Sequence, residues 1–216
     1  MAGSSAEAGH CFRKANRVKL IIKVQTVLYL IRHGEYENPH ALFHGRLPGF
    51  PLSPKGRKAA AALAKLLEKQ PIVAVYSSPL KRAFVTAEII AKAHSLAVKA
   101  DDRLLDIRTP FEGKSIAFME SIDWNFYRPE FVRQGSEMLS EIFNRMDDFI
   151  REKVRQNLGK QIVAVSHGDP IMSIWAKYTG KVLYTRRVFL EKYVSMTSGY
   201  KISFGQGKRP HILSFS

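Results

Sequence analysis

The stretch Leu30-Ile31-Arg32-His33-Gly34-Glu35 decides how the rest of the chain can be read. It ends an apolar run over residues 26–31 that has the composition of a β-strand. The strand therefore delivers a cation, an imidazole and a flexible backbone to one strand tip, which is where ligands bind in open α/β sheets. An imidazole can attack phosphorus and a guanidinium can hold phosphate oxygens, so this tip predicts a phosphate site.

The composition fits one domain with one core and favours an anionic partner. The 216-residue chain is 45% apolar and carries 34 Lys plus Arg against 19 Asp plus Glu, a formal net charge of +15. Phosphorylated metabolites, nucleic acid and acidic lipid all suit such a charge, which does not rank them. A single cysteine, Cys11, excludes an intrachain disulfide and favours a reducing compartment, which we expect to be the cytoplasm.

The first 24 residues differ from the rest of the chain. Residues 1–10 are small and polar, and residues 13–23 are basic. We expect a flexible basic segment at 1–24 and a single domain at 25–216, with organelle targeting by the basic segment as an open alternative. No apolar run reaches the roughly 18 residues that a membrane span needs.

Strand-like and helix-like segments alternate along the chain. This alternation predicts an α/β fold, a three-layer α/β/α sandwich around a mostly parallel sheet. Strands are predicted at 26–31, 72–76, 97–99 and 161–166, and a terminal hairpin at a sheet edge at 195–204 and 211–215. Helices are predicted at 54–69, from 77–79 to about 94, at 136–157 and from 169 to 179–180. The aromatic segment at 118–134 and the loop at 35–50 are predicted to form the walls of a substrate site.

Polar side chains follow three of the predicted strands at their carboxyl ends. The first strand leads to Arg32 and His33, the second to Arg82 one turn into the next helix, and the third to His167. If these strands are parallel neighbours, their tips converge, and two helix N-termini aimed at the same point add N–H donors. Each residue alone has an ordinary structural explanation, but the set together predicts a site for a phosphate dianion.

The motifs that carry these residues resemble, in order, branch 1 of the histidine phosphatase superfamily, which has the phosphoglycerate mutase-like fold. The matching motifs are Leu30-Ile31-Arg32-His33-Gly34-Glu35, Gly45-Arg46, Pro51-Leu52-Ser53-Pro54-Lys55-Gly56, Ser77-Ser78-Pro79-Leu80-Lys81-Arg82-Ala83, Thr86-Ala87-Glu88, Leu104-Leu105-Asp106, Phe111-Glu112-Gly113 and Val165-Ser166-His167-Gly168. The resemblance covers about residues 26 to 215, and several motifs in the family's order are far more specific than any one of them.

The resemblance implies a role for each residue at the strand tips. His33 would be the nucleophile, attacking as a neutral imidazole whose other nitrogen is held by a backbone carbonyl. Arg32, Arg82 and His167 would bind the phosphate oxygens and offset the charge of the transition state.

A carboxyl group must protonate the leaving alkoxide and then activate water against the phosphohistidine. By position that group is Asp106, where relatives more often carry Glu, and Glu112 in the same loop stays open as the alternative. Glu35 is expected to orient Arg32. The residues expected to bind substrate are Asn38, Glu35, Gly45, Glu112 and Gly168.

Two positions depart from the family pattern. Asn38 follows Arg32 by six residues, where the family often has an asparagine at seven, which leaves its contact with phosphate open. Asp169 stands after Gly168, where relatives commonly have a small residue. It either caps the next helix or raises the proton affinity of His167.

Residues and resemblance together favour a metal-independent phosphomonoesterase that acts on a small phosphorylated compound. No cofactor or metal is expected, because cationic groups already surround the anion and His40 and His44 lack metal-ligand spacing. One alternative is a cofactor-dependent phosphoglycerate mutase, which the short span from Arg82 to His167 disfavours. Another is a catalytically weak protein that binds a phospho-ligand or an anionic polymer. Nucleic acid is not expected, because basic and aromatic residues do not interleave, and the oligomeric state stays open, with a dimer as one option.

Overall fold

A computed structural model describes residues 25–181, 192–205 and 209–215, and the predicted basic segment at 1–24 lies outside them. Six strands of the described chain form one sheet: β1 (Thr26–Arg32), β2 (Ile72–Ser77), β3 (Val98–Ala100), β4 (Gln161–Ser166), β5 (Gly199–Phe204) and β6 (His211–Phe215). The sheet order is β3-β2-β4-β1-β5-β6. The first four strands pair in parallel, and β5 and β6 pair antiparallel at one edge. The predicted mostly parallel sheet with an edge hairpin is confirmed.

The helices of the described residues are α1 (Pro54–Leu67), α2 (Lys81–Lys92), α3 (Ile116–Ser121), α4 (Pro129–Arg133), α5 (Leu139–Gln156) and α6 (Gly168–Thr179), with a 3₁₀ turn at Asp102–Leu104. The first two pack on one face of the sheet, and α5 and α6 pack on the other. The predicted three-layer sandwich is therefore confirmed. Within the described residues, no helix combines the length and the apolar character that crossing a bilayer requires.

Strand β1 lies inside the sheet and supplies both cores. Its alternate side chains Val27, Tyr29 and Ile31 join the cluster under α1 and α2, whereas Leu28 and Leu30 join the cluster under α5 and α6. All five are buried, as the uninterrupted apolar run predicts for a strand covered on both faces. This burial holds the next two residues, Arg32 and His33, at a fixed position.

Three helices begin later or earlier than their sequence signals indicate. Helix α2 starts at Lys81 rather than at the Ser-Ser-Pro motif, because Leu80 is still extended and the Ser78 hydroxyl accepts its N–H. Helix α5 starts at Leu139 rather than near Ser136, because the Ser136 hydroxyl is buried against another hydroxyl. Helix α6 starts at Gly168, with His167 as its N-cap residue.

The terminal hairpin also begins later than predicted. Residues 195–198 precede β5 as a turn, in which the Thr197 N–H donates to the carbonyls of Arg32 and His33. The centre of the connection between β5 and β6, residues 206–208, lies outside the described residues. The turn at Thr197 brings the segment before β5 against the end of β1.

Candidate active site

The carboxyl ends of β2, β4 and β1 meet at one edge of the sheet, because these strands are parallel neighbours. The rings of His33 and His167 have centroids 5.1 Å apart. Arg82 lies between them, with Nε 3.4 Å from His33 Nε2 and Nη2 3.2 Å from His167 Nδ1. All three side chains are at most 1% exposed. The structure thus brings together three of the four residues that were predicted to converge, and the fourth, Arg32, is described below.

His33 is held with one ring nitrogen available. Its Nδ1 lies 2.8 Å from the carbonyl oxygen of Gly34, the backbone partner that was expected. The Gly34 N–H donates to the Thr86 hydroxyl on α2, which fixes that peptide. Burial, followed by the charges of Arg82 and Arg32, lowers the pKa of His33 well below its usual value. The ring is therefore neutral near pH 7, with Nε2 unprotonated and accepting from Arg82 Nε over a long 3.4 Å.

Arg82 links the separate parts of the site. Its Nη2 donates to the carbonyl of Gly45 at 2.8 Å and to Asp106 Oδ2 at 3.1 Å, as well as approaching His167. Gly45 has φ +45°, and a side chain there would collide with Glu112. A cation this deeply buried needs such partners, because an unpaired buried charge is strongly destabilising.

The hydrogen-bonding partners of the His167 ring both come from the segment that follows β2. Its Nε2 lies 2.8 Å from the Ser78 hydroxyl just past β2, and its Nδ1 faces Arg82. Burial, then the charge of Arg82, lowers the pKa of His167 well below its usual value. The prediction that the Asp169 side chain caps the helix is wrong, because its carboxylate accepts two tyrosine hydroxyls instead. The alternative, that Asp169 raises the proton affinity of His167, stays a prediction.

Arg32 points into the site with an unused donor. Its Nη1 donates to the Val194 carbonyl at 2.8 Å, and its guanidinium carbon lies 5.0 Å from the centre of the Tyr193 ring. Among the described residues, the buried side-chain atoms without a hydrogen-bond partner are Arg32 Nε, His44 Nε2 and His94 Nε2. Arg32 and His44 both line the cavity described below, so two of these three atoms belong to residues that a ligand would meet.

The prediction that Glu35 orients Arg32 is wrong. The Glu35 carboxylate accepts from the Ser53 hydroxyl at 2.9 Å and pairs with Lys55 Nζ at 2.7 Å. Both partners stand at the start of α1, where the helix N-terminus also favours a carboxylate. Glu35 therefore ties the loop after β1 to α1 and not to the guanidinium.

Of the two candidate acids, Asp106 faces the histidines. Its Oδ2 pairs with Arg82 and lies 3.5 Å from His167 Nδ1, and its Oδ1 accepts the Ile107 N–H. Glu112 instead accepts the Arg46 N–H at 2.7 Å and packs against Gly45. Asp106 lines the cavity, so the geometry favours it over Glu112 as the group that meets the leaving oxygen.

Asn38 bonds within its own loop. Its side-chain amide donates to the Leu42 carbonyl at 2.8 Å and accepts the Leu42 N–H at 3.1 Å. Both ends of the amide close the loop on itself, and the contact of Asn38 with substrate stays a prediction. Gly168, by contrast, lines the cavity beside His33.

A cavity of about 980 Å³ opens above these residues. Its walls come from the two segments that were predicted to form them. The loop at 35–50 contributes Tyr36, Phe43 and His44, and the segment at 118–134 contributes among others Trp124, Phe126 and Tyr127. Burial lowers the pKa of His44 to about 2, and its Nδ1 lies 3.2 Å from the Tyr36 hydroxyl. Aromatic walls with a charged floor suit a small phosphorylated organic molecule.

Sequence reasoning missed the roles of several residues around this cavity. Ser78 and Thr86 lie inside the quoted motifs, four residues before and after Arg82. Their hydrogen bonds to His167 and to the Gly34 N–H could therefore have been predicted. Tyr193 carried no signal in the sequence, because it reaches Arg32 from the far end of the chain.

Within residues 25–181, 192–205 and 209–215, no group of three or more His, Cys, Asp or Glu side chains is placed to hold a metal ion.

Comparison with known proteins agrees with this geometry. The family model described as histidine phosphatase superfamily (branch 1) matches residues 28–211. The chain is 37% identical over 165 residues to an uncharacterized protein of Mycobacterium tuberculosis strain H37Rv, which covers 74% of this chain and 82% of that protein. It is 35% identical over 161 residues to phosphoserine phosphatase 1 of Hydrogenobacter thermophilus, covering 71% and 76%. The solved structure of Bacillus stearothermophilus YhfR superposes with a TM-score of 0.76 at 27% identity, covering 88% and 96%.

Proposed function

The chain belongs to the histidine phosphatase superfamily (branch 1) and is a phosphatase, and we propose that it hydrolyses a small phosphomonoester through a phosphohistidine at His33 without a metal ion. One observation carries the proposal. A buried imidazole with a lowered pKa presents its Nε2 beside Arg82, and Arg32 keeps an unused Nε next to the same cavity.

The first step is transfer of the phosphoryl group from the substrate oxygen to His33 Nε2. The bond between phosphorus and the leaving oxygen breaks as the bond to nitrogen forms. The proton stays on Nδ1, which donates it in a hydrogen bond to the Gly34 carbonyl. Arg32 and Arg82 offset the charge on the oxygens of the phosphoryl group during transfer, and His167 donates a hydrogen bond to one of these oxygens.

Asp106 manages the proton of the leaving group. In its acid form it protonates the departing alkoxide, and as a carboxylate it then takes a proton from the water that attacks phosphorus. Its Oδ2 lies 3.1 Å from Arg82 Nη2, so the carboxylate and the phosphate would share one guanidinium. Hydrolysis then returns His33 to its neutral state and releases inorganic phosphate.

Phosphoserine is the first substrate to test. A relative that is 35% identical carries the name phosphoserine phosphatase, and the cavity of about 980 Å³ accommodates a molecule of that size. Acidic side chains, Glu120 and Asp123, and the basic Arg128 also line the cavity, so the substrate beyond its phosphate would meet both signs of charge.

The test is trapping of the intermediate. Acid-sensitive, alkali-stable ³²P label should appear on the wild-type protein within a single turnover and should be missing from His33→Ala. His40→Ala, which changes an exposed histidine of the neighbouring loop, serves as the matched control and should label like wild type. Label on His33→Ala, or full turnover by it, would identify another nucleophile. Wild-type activity should persist in excess chelator.

The same preparation separates hydrolysis from isomerisation. With 3-phosphoglycerate and its bisphosphate as substrates, a phosphatase releases inorganic phosphate at the rate at which substrate disappears. Isomerisation without phosphate release would assign the chain to the mutases instead.

The single cysteine of the sequence supports a cytoplasmic location, which fractionation of the expressing cells would test.

A further inference from the structure

A buried carboxylate beside the phosphate pocket has no part in the steps above. Asp169 lies in the first turn of α6 and is 6% exposed. Its Oδ1 accepts the Tyr193 hydroxyl at 2.7 Å, and its Oδ2 accepts the Tyr127 hydroxyl at 2.7 Å. Burial raises the pKa of both tyrosines well above the usual value, so both hydroxyls remain protonated donors. Asp169 therefore joins three segments that are distant in the chain.

Tyr193 carries the effect of this carboxylate to Arg32. The guanidinium carbon of Arg32 lies 5.0 Å from the centre of the Tyr193 ring, and its Nη1 donates to the carbonyl of the next residue, Val194. Both contacts come from one dipeptide, so the placement of that dipeptide decides where the guanidinium points. The hydroxyl bond to Asp169 is what anchors the ring end of this dipeptide.

Gly168 gives a second, independent observation. A Cβ at this position would collide with the Tyr193 hydroxyl, and with the ring atoms next to it. The backbone at 168 therefore leaves room for the hydroxyl to pass and reach Asp169. Only a residue without a side chain at position 168 leaves space for the Tyr193 hydroxyl to reach Asp169.

We propose that Asp169 is a positioning residue for phosphate binding, which acts by seating Tyr193 against Arg32. This contact leaves Arg32 Nε buried and without a hydrogen-bond partner among the described residues, while the Arg32 residue itself lines the cavity in which the phosphate would bind. A guanidinium held on both sides loses less rotamer freedom when the anion binds, so affinity rises without any new contact to the ligand. Through Tyr127 the same carboxylate ties the aromatic wall to the pocket floor.

The measurement is calorimetric binding of inorganic phosphate, which needs no turnover. Asp169→Asn and Tyr193→Phe should each raise the Kd for phosphate about tenfold, the scale of a hydrogen bond to a charged group. The double variant should be no weaker than either single one, since both remove the same contact. Gly168→Ala should give a similar loss with the carboxylate intact.

The matched control is Tyr178→Phe. Tyr178 is also partly buried and donates its hydroxyl to a carboxylate, Asp147 Oδ1 at 2.9 Å, but it does not line the cavity. The Kd of this variant for phosphate should stay within about twofold of wild type, because neither Tyr178 nor Asp147 forms a hydrogen bond to Arg32 or to the described residues that hold it. Thermal unfolding of every variant, measured in parallel, shows which of them are folded at the assay temperature.

The decisive cycle places Asp169→Asn in an Arg32→Ala background. If Asp169 acts through Arg32, the second change should weaken phosphate binding by less than about twofold there. An undiminished loss in that background would show that Asp169 acts otherwise and would overturn the inference. Unchanged affinity in folded Asp169→Asn and Tyr193→Phe would also overturn it, while leaving the phosphohistidine proposal intact. A wild-type chain that binds no phosphate would overturn both.

Discussion

The two halves of the active site are held in place by different means. His33 and His167 follow the ends of β1 and β4, which pair in register from Val27–Gln161 to Arg32–Ser166. The N–H of His33 continues that ladder by donating to the Ser166 carbonyl. The phosphate pocket is therefore positioned by backbone hydrogen bonds of the sheet.

The acid side is positioned by buried side chains. Asp106 lies in a loop, and its backbone carbonyl accepts from Arg46 Nε at 2.8 Å and from Arg145 Nη2 at 3.2 Å. Glu137 binds both arginines, with Oε1 2.6 Å from Arg145 Nε and Oε2 3.0 Å from Arg46 Nη2, and it also accepts the Arg108 N–H. We call Arg46, Glu137 and Arg145 the acid clamp.

This difference predicts two kinds of sensitivity. A sheet register is maintained by many bonds, so a substitution at His33 or His167 changes the chemistry of that side chain without moving the strand ends that carry it. The clamp depends on every member, because Glu137 is buried and would lose a charged partner if either of the partly buried arginines were removed. Substitutions that separate phosphate binding from protonation of the leaving group test this contrast.

The largest effect should come from Arg82, which contacts both halves. Arg82→Ala removes the cation between His33 and His167 and leaves Asp106 unpaired, so kcat/KM should fall by about 10³ or more, on the scale of a lost transition-state donor. The loss should be similar for alkyl and nitrophenyl phosphates. Arg57→Ala, on the exposed face of α1, is the control. Strong dependence of the loss on the leaving group would place Arg82 on the acid side alone.

Asp106→Asn should separate the two halves. Alkyl phosphates, whose leaving oxygen needs a proton, should lose about 10²-fold or more in kcat, whereas nitrophenyl phosphate should lose less than about tenfold. Steady-state rates on the two substrate types give the ratio. Equal losses on both would remove Asp106 from the acid role. The matched variant Glu112→Gln should keep the wild-type ratio, because Glu112 is turned to Arg46.

Glu137→Gln tests the clamp itself. It should lower kcat on alkyl phosphates about tenfold and leave the inhibition constant of inorganic phosphate unchanged, because the strand ends do not depend on Glu137. Stability should fall by about 1 to 2 kcal/mol, because the hydrogen bonds from two partly exposed arginines lose their charged acceptor. Denaturant unfolding and the two-substrate assay measure both effects, with exposed Glu130→Gln as the control. Weaker phosphate binding would show that the two halves are not independent.

The last effect leaves the catalytic side chains unchanged: it is a pH dependence of stability, and it belongs to the pocket. Burial is the largest cause of the lowered pKa values of His33, His44 and His167. The unfolded chain binds these protons near pH 6.5 and the folded one does not. Stability should therefore be fully present above about pH 6.5 and fall below it, by up to about 1.4 kcal/mol per pH unit for each histidine. Denaturant titrations from pH 7.5 to 5 measure the slope.

A histidine variant checks the origin of that slope. His44→Gln should reduce the slope by one proton, since glutamine at this position has nothing to titrate. An unchanged slope in His44→Gln would mean that the proton uptake arises elsewhere in the chain. Inorganic phosphate should stabilise the wild-type protein, because it binds the folded state alone.

The sequence predicted best what depends on local pattern. The apolar run over 26–31 indicated a strand buried on both faces, and Ser53 with Pro54 indicated the start of α1, where the Ser53 hydroxyl accepts the Gly56 N–H. Once three strands were read as parallel neighbours, the convergence of Arg82, His33 and His167 followed from the topology. Local patterns carry such information because strand burial and helix capping involve residues close in the chain.

Side-chain partners between distant segments were predicted least well. Glu35 binds Ser53 and Lys55 instead of Arg32, and Asp169 binds two tyrosines instead of capping α6. A carboxylate has several possible donors within reach in any fold, so the pattern of charges in the chain does not select among them. The acid clamp has the same character, since its members come from three separate segments.

The amino-acid order by itself predicted the layers of the fold and the residues proposed to bind phosphate, because apolar periodicity and the alternation of strands with helices are patterns of residues close in the chain. Only the tertiary structure decided what holds Arg32 and Asp106 in position. Arg32 donates to the carbonyl of Val194, 162 residues further along the chain, and such a contact exists only once the sheet has closed the intervening loop.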